Sequence, residues 1–156
     1  MLPLYSRQPF NFMTGQNSFK IADKYYTKCG VEQHEYNMHK HVYNMKIVNI
    51  PKVISYDKNK KIMVMEKISG DSVSDFYGED PNEVPEHIFD HVRDIVKTLA
   101  LNGIEYPDIT GYNFIMDEDE RLWIIDFEHA RLKKNIKNRY INNFCAGKNA
   151  WNPLFK

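Results

Sequence analysis

Charge of one sign is the first thing missing: 21 Lys and Arg stand against 21 Asp and Glu in a chain of 156 residues. With no global field to recruit polyanions, neither a nucleic-acid partner nor an anionic membrane is expected. Cysteine is nearly absent too. Cys29 and Cys145 lie far apart and form neither a disulfide framework nor a CxxC metal knuckle, so the simplest reading is a reducing intracellular compartment. No apolar run reaches the ~18 residues of a membrane helix. The opening stretch "MLPLYSRQPFNFMTGQNSF" lacks the continuous apolar core of a signal peptide, and the expected location is the cytoplasm, a host's cytoplasm if the source is viral. Zinc is not expected either, because the histidines of "HEYNMH" (34 to 39) are five apart, about 140° around a helix, instead of sharing a face.

What is present suits one soluble domain. Chains of this length bury roughly 68 to 70% of their unfolded surface, enough for a core without staples. Asn, Lys, Ile and Tyr are plentiful, a bias that AT-rich genomes produce, including those of many large DNA viruses. Short strands are expected at "FNFM" (10 to 13), "SFKIA" (18 to 22) and "YYTKC" (25 to 29). A helix follows over 31 to 45, where Met38, Val42 and Met45 lie within about 40° of Val31. "PKVISYD" and "KIMVMEKI" flank the turn-prone "DKNK" and read as a hairpin. "SGDSVSDFYGEDPNEVP" reads as loop with one helical turn. Pro85 then opens a second helix carrying Ile88, Val92, Ile95 and Leu99, with Gly103 as its stop. "NFIM" and "LWII" flank a charged turn, and the residues from Phe127 onward are basic and partly helical in expectation.

Chemistry concentrates in "GIEYPDITGYNFIM" (103 to 116) and "LWIIDFEHA", where Asp108 precedes Asn113 by five residues and Asp126 closes an apolar run. Each residue alone reads as a turn or strand-end group. Together, an Asn and an Asp on adjoining loop ends offer hard oxygen donors of the kind magnesium takes, and the nearby Asp108 can accept a proton. On the helix Glu35 falls about 40° from Val31, inside the apolar stripe, whereas Glu32 is displaced by about 100°. A buried carboxylate needs a partner, and Lys28 is the natural one.

The order of elements resembles the protein-kinase fold over roughly residues 13 to 130, with "YPDITGYN" in place of HRDxxxxN and "IIDFE" in place of DFG. The resemblance implies an α+β, minimal two-lobed architecture: residues 1 to 68 as an N-lobe with a reduced sheet and one helix, and 69 to 156 as a truncated C-lobe. It implies ATP and Mg2+ as cofactors. Asp108 becomes the catalytic base, Asn113 and Asp126 the metal ligands, and Lys28 the phosphate-contacting strand lysine paired with Glu35, with Lys20 and Lys24 as rivals. "TGQNSFK" resembles a degraded Gly-rich loop with Gly15, Asn17 and Lys20 in the glycine positions. Met65 takes the gatekeeper place, Glu66 and Ile68 offer backbone groups to adenine, and Asp71 reaches toward a ribose hydroxyl.

Departures from the pattern shape the functional expectation. Tyr106 and Pro107 replace the His and Arg before the catalytic Asp, Thr110 replaces the lysine after it, and Glu128 replaces the Gly of DFG. The missing arginine and "IDFE" are similar to choline kinases and aminoglycoside phosphotransferases. Only 30 residues follow Asp126, too few for a full activation segment and a helical substrate lobe, so the acceptor surface is expected to be missing or supplied by a partner. Three readings stand: a minimal Ser/Thr protein kinase, first because no insert builds a small-molecule pocket; an inactive kinase mimic that binds a partner kinase or substrate; and a small-molecule kinase.

Overall fold

The computed structural model describes residues 24–155, and the strands expected at 10 to 13 and 18 to 22 lie outside that range. The third expected strand forms as β1, Tyr25–Cys29. It pairs antiparallel with β3, Ile62–Glu66, which also pairs with β2, Val53–Asp57, giving the order β1-β3-β2. The turn between β2 and β3 closes as its composition demands: Asp57 Oδ1 accepts from the N–H groups of Asn59 and Lys60, each at 3.0 Å. Alternation along β1 turns Tyr26 and Lys28 inward, opposite Met65 and Met63. Tyr26, Val31, Met63 and Met65 make a small core, roofed by Tyr36 stacked on Tyr56 at 4.3 Å. Lys28 therefore lies on an apolar face, where an ammonium requires a counter-charge.

That counter-charge comes from α1, Gln33–Met45, whose buried face carries Glu35, Met38, His39 and Val42. Met38 and Val42 belong to the larger core, which α1 thereby joins to the small sheet. Ile124 N–H donates to Asn49 O at 3.0 Å, a second tie between the two parts.

The segment expected to be mostly loop is more ordered. Asp71–Ser72 form strand β4, paired with Met116 and Ile115, and Val73–Tyr77 form helix α2. Ser72 caps α2, its hydroxyl accepting from Asp75 N–H at 3.0 Å and donating to the Asp75 carboxylate at 2.7 Å. A two-residue strand has no periodicity to read; its partner lies more than 40 residues away. Gly70, at φ +139, is required here, because a Cβ would stand 1.9 Å from Met116 O.

Helix α3, Glu86–Leu101, buries Ile88, Phe89, Val92, Val96 and Leu99, each fully buried aliphatic side chain contributing ~1.5–3 kcal/mol. Gly103, at φ +76, turns the chain out of it into β5, Ile104–Glu105. Strands β6, Phe114–Met116, and β7, Leu122–Ile124, complete a sheet of order β4-β6-β7. Strand β8, Arg131–Leu132, returns to β5, and α4, Arg139–Cys145, packs on α3, where the buried Arg93 donates to Phe144 O at 3.1 Å. Among the described residues no helix is long and apolar enough to cross a membrane.

Candidate active site

β1, α1 and the loop after β7 converge on one cation. Lys28 Nζ donates to Glu35 Oε1 and lies 3.4 Å from Asp126 Oδ1, with the Lys28 and Glu35 side chains almost fully buried. Of the three lysines that compete for this place, Lys24 is exposed at the start of β1, its carbonyl accepting from Lys67 N–H at 2.9 Å, and Lys20 lies outside the described residues. Burial pulls the Lys28 pKa down, but Asp126 and Glu35 together outweigh it and raise the pKa. Glu35 is raised as well: burial acts first, Lys28 opposes it, and Asp126 adds repulsion. Two carboxylates sharing one ammonium leave a surplus of negative charge, which raises Lys28 and adds to the effect of burial on Glu35.

The polar loop is locked from several directions. Asp108 O accepts from Thr110 N–H at 3.0 Å and from Asn113 Nδ2 at 2.9 Å, which closes the five-residue interval between the two functional residues. Ile125 N–H donates to Asn113 O at 3.2 Å, seating Asn113 beside the chain entering Asp126. With Nδ2 committed, Oδ1 is the group Asn113 has for a cation. Among the described residues no three His, Cys, Asp or Glu side chains cluster as a metal site. A cation here would rest on Asp126 and Asn113 and keep other ligands, which is how magnesium is usually held. The local surplus of negative charge fits that ion. Gly111 admits the rest of the fold, since a Cβ there would stand 2.1 Å from Ser74 Oγ on α2 and 3.0 Å from the Trp151 ring.

Asp108 is buried, and its pKa is pushed up to about 6 by burial and by Asp126, with a hydrogen bond from His129 opposing. A base poised near neutral pH suits proton transfer. The His129 contact, Nδ1 to Asp108 Oδ2 at 3.2 Å, had no signal in the sequence. Its ring lies against Phe155 at 4.8 Å between centroids, and the adjoining Ala130 O accepts from His34 Nε2 at 2.8 Å. Tyr106, in the place of the motif histidine, is a fully buried spacer. It meets Phe127 edge-on at 5.7 Å, and Phe127 meets His39 at 5.4 Å, a stack from the polar loop to α1.

Other expected residues are placed as follows. Met65 is buried between β1 and β2. Glu66 spends its N–H on Lys52 O and its carboxylate on Lys52 N–H, both at 2.9 Å. Ile68 has no backbone partner among the described residues, and Asp71 is exposed in β4. Gly15 and Asn17, like Lys20, lie outside the described residues.

A sequence model of the RIO domain matches residues 5–139, most of the chain. The chain belongs to the RIO domain family. RIO domains are atypical protein kinases, so the protein-kinase-like fold expected from the sequence stands. Among solved structures, the kinase PK-1 of Cydia pomonella granulovirus is similar, with TM-score 0.52 and 17% identity over 73% of this chain and 46% of that one. At that identity the likeness speaks to the fold alone. This RIO domain thus spans under half the length of that kinase, and its segment after residue 139 lies beyond the family match.

Proposed function

We propose that this RIO domain is an ATP- and magnesium-dependent phosphotransferase acting on Ser or Thr hydroxyls of a protein. The observation that carries the reading is Lys28 held between Glu35 and Asp126 while Asn113, bonded to the Asp108 carbonyl, sits beside the entry to Asp126. Lys28 contacts the α and β phosphates, and the backbone of Glu66 and Ile68 receives the adenine. Asp126 and Asn113 would hold magnesium, which would supply charge neutralisation for the transfer. As the acceptor oxygen bonds to the γ-phosphorus and the bond to ADP breaks, Asp108 Oδ1 takes the hydroxyl proton, with Oδ2 fixed by His129. This role of the base is worth ~10²–10⁴ in rate.

The test is a thermal-shift titration with ATP and magnesium, followed by transfer to itself and to generic proteins. Nucleotide stabilisation, and transfer lost in Asp108→Ala and Asp126→Ala, are the expected results; transfer indifferent to both substitutions would remove the enzyme reading. A second reading, a kinase mimic that binds a partner kinase or substrate without catalysis, draws on the uncharged Thr110 beside Asp108. It predicts binding to the partner without transfer. A screen with choline and aminoglycosides covers the small-molecule class.

A further inference from the structure

Charge is balanced over the whole chain but not along it. Seven of the 21 basic residues and none of the 21 acidic ones fall in 129 to 156, so that stretch carries +7 and the preceding 128 residues −7. The described cations, Arg131, Lys133, Lys134, Lys137, Arg139 and Lys148, are all exposed. Lys133 pairs with Glu105 at 3.0 Å, and the other five have no carboxylate partner among the described residues. The basic run is not a solvated helix face, because residues 133 to 138 are irregular and α4 begins only at Arg139.

Its place in the fold gives the charge a purpose. The stretch leaves the site at His129, bonded to Asp108, and lies along β5 through Lys133 N–H to Gly103 O at 2.8 Å. It returns at Asn152, whose Nδ2 donates to Pro107 O at 2.7 Å and whose N–H donates to Ile109 O at 2.8 Å. Both ends of a cationic loop are thus tied to the residues flanking Asp108. Arg93, bonded to Phe144 O, fixes its middle on α3.

We infer that residues 129–152 form the acceptor-docking surface, and that it selects a protein segment carrying carboxylates or phosphates beside the hydroxyl. This rests on the phosphotransferase reading for its purpose, but not for its binding chemistry. A protein segment fits better than a nucleic acid. A short acidic stretch covers the cationic loop alone, whereas a long polyanion extends beyond a Debye length of ~8 Å and meets the negative remainder. The tract also presents no free aromatic face for base stacking: Tyr140 stacks on Phe144, carries Lys148 over its ring and donates its hydroxyl to Ala150 O.

The experiment compares the full chain with a Lys134→Glu, Lys137→Glu, Arg139→Glu variant, using three peptides of equal length in which one serine is flanked by Glu, Ala or Lys. Transfer is measured, and anisotropy of a fluorescein-labelled Glu peptide reads binding without catalysis. The Glu peptide should lead in kcat/KM by about tenfold at low salt, lose that lead between ~50 and ~300 mM NaCl, and lose it in the variant with the KM for ATP unchanged. Transfer without Glu preference, or a variant equal to the parent, overturns the docking surface while leaving the activity standing. Charge-dependent binding of the Glu peptide without transfer upholds the surface and removes the activity. A single-stranded oligouridylate that binds more tightly than the Glu peptide, with loss in the variant, overturns the protein acceptor in favour of RNA.

Discussion

Asp108→Asn should make the protein more stable while abolishing transfer. The Asp108 carboxyl is nearly buried and its pKa is raised from 3.8 to about 6, first by burial and then by the charge of Asp126. At ~1.4 kcal/mol per pH unit, that displacement means the ionised carboxylate costs the folded state ~3 kcal/mol. The sign follows from proton counting. Below 3.8 both states hold the proton and the group contributes nothing. Between 3.8 and about 6 only the folded state holds it, so stability falls as pH rises, and above about 6 the whole penalty is present. Asparagine does not titrate and can still accept from His129. The variant should therefore gain ~2–3 kcal/mol at pH 8, or ~4–12 °C in Tm, and roughly half of that at pH 5. Urea unfolding in EDTA at the two pH values reads this directly. A variant less stable than the parent at pH 8, or a gain that does not shrink toward pH 5, would refute the assigned burial and repulsion.

Lys28→Met leaves Glu35 and Asp126 facing each other without their cation and should cost ~3–5 kcal/mol by denaturant midpoint, with partial recovery when Glu35→Gln is added; an additive double variant would argue against the ion pair. Gly70→Ala must move the backbone away from Met116 O, for a loss of at least ~2 kcal/mol in the same assay, and an unchanged midpoint would disprove the close approach. His129→Gln should lower kcat about tenfold or more while the KM for ATP stays put, because the residue orients Asp108 and touches no nucleotide; a parallel rise in that KM would point to a general structural role.

Much of the site could be read locally. Half of the Lys28–Glu35 pair followed from one periodicity, since the helical wheel put Glu35 in the apolar stripe, where a carboxylate needs a cation; that Lys28 is the one turned inward to meet it is shown by the structure. The interval from Asp108 to Asn113 carried its own closure, because Asn113 Nδ2 reaches the Asp108 carbonyl within one short loop. Strand β4 was not legible in this way. Its two residues pair with Met116 and Ile115, and nothing within Asp71–Ser72 records that partner. His129 went unseen for the same reason: its meaning lies in a contact 21 residues back along the chain, with its ring placed by Phe155 from a third segment.

Pattern alone, then, decided which faces are buried, where the chain turns, and which acidic and amide groups stand at kinase-like spacing, because these depend on neighbours within a few residues. The charge imbalance of 129 to 156 was equally written in the order of residues. Only the tertiary structure tied both ends of that stretch to the loop around Asp108 and put an imidazole on its carboxylate. Such contacts join segments 20 to 45 residues apart, and their partners are chosen by packing of the whole core.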